Sequence, residues 1–102
     1  MARRLELQAE LEELLGSRNV YFQPPESKSL KYDCIVYNRS SIEGRNANNY
    51  KYKLADRYDV TIIYRNPDSD LPRRMLEKFM YCSNSRHFVV DNLYHDVFTL
   101  YY

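Results

Sequence analysis

Leucines at Leu7, Leu11, Leu14 and Leu15 recur at i, i+4, i+7 and i+8, while Glu6, Glu10, Glu12 and Glu13 fall largely off that stripe. This spacing is one face of a 3.6-residue period and predicts a helix over Arg3–Leu15 that packs on a sheet. Gly16 supplies its stop. Asn19–Phe22 then reads as a short strand, ended by Pro24 and Pro25, which lack ladder donors. Glu26–Lys31 is a polar loop. Alternation resumes over Tyr32–Arg39, with Tyr32, Cys34, Val36 and Asn38 on one face and Asp33, Ile35, Tyr37 and Arg39 on the other. Ser40–Asn49 holds few apolar residues and reads as a long irregular loop, of the kind that is often functional.

Tyr50–Lys53 begins a further strand, and Arg57–Arg65 carries the strongest strand signal, with Tyr58, Val60, Ile62 and Tyr64 sharing one face and Thr61 and Ile63 the other. Asn66–Asp70 is turn chemistry. A second helix follows, capped by Ser69 or Asp70 with Pro72 in its first turn, and its stripe is Leu71, Met75 and Phe79 with Leu76 and Met80 beside them. Asn84 and Ser85 lead into a closing hairpin over 86–102, whose turn opens at Asp91-Asn92. A free tail of Thr99-Leu100-Tyr101-Tyr102 would be sticky, so the last arm is expected to pair. The pattern predicts one α+β domain, residues 1–102: a mostly antiparallel sheet of four to five strands with two helices on one side, in the order α-β-β-β-α-β-β.

Composition narrows the function. The 102 residues suffice for one modest core. Net charge is +1, from 15 basic and 14 acidic residues with the signs interspersed. Neither half is a basic arm, so sequence-specific or strong nonspecific nucleic-acid binding is not expected. No apolar run approaches the roughly 20 residues of a membrane span, and no signal peptide is expected at Met1–Arg4. Tyrosine is abundant, 11 residues, and tryptophan absent. Tyr suits half-buried strands and subunit contacts, where its ring is covered and its hydroxyl finds a partner. Cys34 and Cys82 stand far apart beside apolar residues and read as two buried free thiols.

His87, Asp91, His95 and Asp96 are the one cluster of ligand-like side chains. Their spacing matches no metal motif, and strand alternation is expected to scatter them over two faces. Asp91, Asn92, His95 and Asp96 are read instead as a structural turn with a His95 hydrogen bond. No P-loop, dinucleotide fingerprint or nucleophile–base pattern occurs, so neither catalysis nor a cofactor is expected. Arg73-Arg74 opposes the dipole of the second helix and is either a solvated face or a partner contact. With the loop residues Arg45, Asn46, Asn48 and Asn49, it forms the expected interface.

Arg57–Ser69 (RYDVTIIYRNPDS), then His87-Phe88, then Asp91–Phe98 (DNLYHDVF), resemble the small tail terminator, or tail-to-head joining, proteins of long-tailed bacteriophages and prophages. Tyr32–Tyr37 and Val20–Pro25 fit the same pattern. The family has aspartate where Asn66 stands and asparagine where Tyr94 stands. The resemblance implies a structural protein that assembles with itself into a hexameric ring. The ring would cap the tail tube protein and dock to the head-completion or connector protein, with DNA passing through. It would be assembled in the host bacterial cytoplasm and end in the virion. A head-closure or other neck protein of the same particle is the nearest alternative, and a small metal-dependent enzyme the distant one.

Overall fold

The computed structural model describes residues 3–24, 29–47 and 50–102, with the backbone alone for residues 3, 41–47 and 50–55. Seven elements follow in the expected order: α1 (Arg3–Leu15), β1 (Val20–Phe22), β2 (Cys34–Ala47), β3 (Tyr50–Tyr64), α2 (Leu71–Lys78), β4 (Cys82–Val90) and β5 (Leu93–Tyr101). They build a five-stranded sheet ordered β1-β2-β3-β5-β4. Every neighbouring pair is antiparallel except β1 with β2.

The helices cover one sheet face. Leu7, Leu11 and Leu14 of α1 are buried against Val20, Ile35, Tyr37, Tyr58, Val60 and Ile62, the inward positions of β1, β2 and β3. Gly16 adopts φ +81, the left-handed conformation that ends a helix, and its N–H bonds the Glu12 carbonyl. Tyr37 buries its ring and donates its hydroxyl to Gln8 Oε1 at 2.5 Å, so α1 is tied to the sheet by a polar contact as well as by leucines. From α2, Leu71, Met75 and Phe79 complete the core with Phe98 and Leu100 of β5.

Several boundaries differ from the pattern reading. Ser40–Ala47 is not an irregular loop. The ladder between β2 and β3 continues from Ser41 opposite Arg57 to Ala47 opposite Tyr50, because backbone pairing overrides a polar, weakly periodic composition. Asn48 and Asn49, and Pro25–Lys28, lie outside the described residues. β2 starts at Cys34, not Tyr32, and β4 starts at Cys82, so Asn84 and Ser85 are inside the strand. A bulge between Asn84 and Arg86 accommodates Ser85, whose Oγ donates to the Val97 carbonyl. Helix α2 ends at Lys78 since Phe79 is already extended, leaving Leu76 and Met80 exposed and off the stripe. Ser69, rather than Asp70, supplies the cap: its Oγ accepts from the Leu71 N–H at 3.3 Å.

The molecule is elongated, 48 × 26 × 22 Å, with a radius of gyration of 14.5 Å, against about 13 Å for a compact chain of this size. The excess follows from β2 and β3. Strand β1 pairs only with Ile35–Tyr37, and β5 stops pairing with β3 at Arg57. The seven residues of β3 before Arg57 therefore have β2 as their sole strand neighbour among the described residues, and at about 3.3 Å per residue they carry a two-stranded ribbon roughly 23 Å past the body.

Candidate functional site

Two regions carry the residues singled out by sequence. The first is the ribbon. Arg45 stands opposite Lys53 and Asn46 opposite Lys51, with a register irregularity between them. Its base is fixed by polar contacts: the Tyr102 N–H donates to the Asp56 carbonyl at 3.1 Å, the Tyr58 hydroxyl to Asp56 Oδ2 at 3.4 Å, and Ser40 Oγ to the Arg57 carbonyl at 3.1 Å. Arg39 and Asp56 add an ion pair at 3.9 Å.

Arg73 and Arg74 are exposed on α2, which packs against α1 and β4, so they and the ribbon belong to different elements rather than one joint patch. Arg74 has a local explanation that the dipole argument missed. It pairs with Asp70 one turn earlier at 3.6 Å.

The second region is the hairpin of β4 and β5. Asp91 and Asn92 hold φ 53 and 62, a two-residue type I′ turn. The turn contains only these two residues, because His95 and Asp96 lie within β5. His95 Nδ1 donates to the Leu93 carbonyl at 3.1 Å, and its ring stacks on Phe88 on the sheet face away from the helices. Asp91 is exposed at the turn. The cluster is thus divided between two faces, as expected, but His87 and Asp96 share one. They stand opposite each other on the helix-bearing face, at the end of a row that runs Val20, Ile35, Ile62, Asp96, His87 across all five strands.

Asp96 is buried and fully engaged. Its Oδ2 accepts from the Tyr64 hydroxyl at 2.5 Å, and its Oδ1 faces His87 Nδ1 at 2.9 Å and Asn84 Nδ2 at 3.3 Å. Tyr94 stacks on both Tyr64 and His87. Burial pushes the Tyr64 phenol far above its ordinary range, and the bond to Asp96 adds to the rise, so Tyr64 remains a neutral donor. Chemically this is an oriented imidazole. Nδ1 is held by a buried carboxylate, leaving Nε2 of a half-exposed ring for solvent or a partner. The pairing was readable from sequence: a two-residue turn at Asp91-Asn92 sets Val90 opposite Leu93, and counting back places His87 opposite Asp96.

Among the described residues no three His, Cys, Asp or Glu side chains converge as a metal site. No helix among the described residues is long and apolar enough to cross a membrane. Cys34 is buried and Cys82 partly so, and both are free thiols. Burial raises each to about 11, the Asp33 carboxylate contributing at Cys34. Compared with known proteins, the chain matches no family model, no curated protein and no solved structure.

Proposed function

We propose that this chain is a structural virion protein whose copies form a ring that caps a phage tail tube and joins it to the head connector. The reading starts from the resemblance of Arg57–Ser69 and Asp91–Phe98 to tail terminators. The observation that carries it is the β2–β3 ribbon. A two-stranded hairpin is marginal in water by itself, and this one continues well beyond the strands and helices that stabilise the body. An extension that adds little to the fold is explained by a surface it docks on, and a ring subunit needs such an arm to reach its neighbour or the tube. Tyrosine-rich strands and the exposed Arg73 and Arg74 suit the same role, since Tyr and Arg are favoured at interface cores.

The test is a shortened ribbon. Replacing residues 43–55 by an Asn-Gly turn keeps the Ile42–Asp56 and Ser41–Arg57 pairs and the body. In a phage whose own joining protein is deleted, the full chain is expected to restore joined particles. The shortened chain is expected to leave filled heads beside separate, unjoined or overlong tails while retaining its unfolding midpoint. Joining at wild-type titre by the shortened chain would refute the role of the ribbon, and no joining by the full chain would refute the function.

A further inference from the structure

We infer that β4 is the strand through which one copy of this chain binds the next, extending the sheet across the subunit boundary; this rests on the ring reading above and assigns its contact. Strand β4 is a sheet edge of nine residues. The type I′ turn makes Val90 and Leu93 the closing hydrogen-bonded pair, so bonded and non-bonded pairs alternate back along the hairpin. The backbone groups of Val89 and His87 therefore point outward, away from β5. Edges are usually blunted by proline, charge, shortness or bulges. Here the bulge precedes Arg86, no proline occurs, and Arg86–Val90 is a regular run with one permanent charge. Val89 and Val90 are about half exposed, and Met80 and Tyr81 at the other end more so.

The occupant is a second copy placed head to tail. β4 is antiparallel to β5, β5 to β3, and β3 to β2, so β4 runs antiparallel to β2. The outer edge of β2 is covered by β1 only at Ile35–Tyr37, with Gln23 reaching the Arg39 N–H, and no strand lies on it from Ser41 to Ala47 among the described residues. A neighbour in the same orientation thus offers β2 antiparallel to β4, the stronger pairing. Charge selects this arrangement over a two-fold β4–β4 pair. Residues 71–90, on α2 and β4, carry four basic side chains and one acidic; α1, on the β1–β2 side, carries four acidic and two basic. Lys78 and Glu13 already pair within the chain, yet Arg73, Arg86 and Glu6 remain exposed. Head-to-tail contact brings opposite signs together, whereas a two-fold contact would bring two copies of the same basic face together.

The test substitutes Val89→Pro in the full chain, which removes an outward donor and no bond to β5. Val89→Lys, at an exposed side chain, serves as the second variant should proline disturb the hairpin. Native mass spectrometry should show a closed oligomer for the unmodified chain and a monomer for both variants, with the far-ultraviolet circular dichroism unchanged. In an equimolar mixture Val89→Pro keeps its β2 edge, so it should cap open, mixed oligomers; a two-fold β4 contact would instead exclude it from every oligomer. Assembly of both variants like the unmodified chain, absence of mixed oligomers, or an unmodified chain that stays monomeric with and without tail tubes would overturn the inference. Variants that fail to assemble, alongside an unmodified ring that does not join heads to tails, would leave the contact standing and remove the phage function.

Discussion

Strand β3 is one continuous strand with two different lives. From Arg57 to Tyr64 it lies between β2 and β5, and Tyr58, Val60, Ile62 and Tyr64 are buried beneath the helices. From Tyr50 to Asp56 its one strand neighbour among the described residues is β2, with the Tyr102 N–H reaching the Asp56 carbonyl at its base. The first half is paired along both edges and the second, among the described residues, along one, so the two halves differ in their hydrogen-bond ladders. The first half also buries Tyr58, Val60, Ile62 and Tyr64, and burial is the dominant favourable term in folding. The contrast separates the part of the chain that makes the fold from the part that, on our reading, meets other molecules.

The largest expected effects break the first half. Ile62→Ala should cost about 2–5 kcal/mol and Phe98→Ala about 3–5 kcal/mol, through lost transfer energy and a cavity, because both side chains are fully buried. For a domain of this size that lowers the thermal midpoint by roughly 10 °C or more. Midpoints near the unmodified value would place the core elsewhere. Asp96→Ala sharpens the comparison at the edge of the core. It strands the Tyr64 hydroxyl, His87 and Asn84 without their common acceptor and should cost about 1–3 kcal/mol by chemical denaturation. A neutral outcome would mean that the cluster does not hold β4 and β5 together.

A smaller effect reads the same burial by titration. Cys34, Cys82, Tyr37, Tyr58 and Tyr64 all have folded pKa values raised by burial. A raised value favours the protonated form in the fold, so this stability is complete below the unfolded-chain pKa and is lost as pH climbs through the folded one. For the thiols that window runs from 9.0 to about 11. Denaturation midpoints should be flat up to its lower end and fall across it, less steeply in Cys34→Ala. A midpoint that rises over this window would contradict the burial assigned to these groups.

Much of the body was legible in the sequence. The leucine stripe of α1, the alternation of Tyr58, Val60, Ile62 and Tyr64, and the Asp91-Asn92 turn each obey a local period or turn chemistry that tertiary contacts reinforce. The ribbon was not, because Ser40–Ala47 has neither apolar alternation nor β-rich composition, and pairing with β3 supplies what propensity lacks. The start of β4 was hidden similarly. Asn84 and Ser85 look like a turn, and in the structure they stand at a bulge on an exposed edge strand where polar residues are tolerated. The His87–Asp96 contact was available from hairpin register, whereas the contribution of Tyr64 required the order of β3 and β5 in the sheet.

Amide hydrogen exchange tests the division of β3 most directly. In the dilute, unassembled chain the account predicts strong protection for Arg57–Tyr64 and weak protection for Tyr50–Asp56, since a two-stranded ribbon opens without unfolding the body. On the proposed ring reading, the weak half should become protected when copies assemble on tail tubes, with little change in the strong half. Equal, strong protection of both halves in the unassembled chain would contradict it, because the ribbon would then be part of the fold rather than an arm held in reserve for a partner.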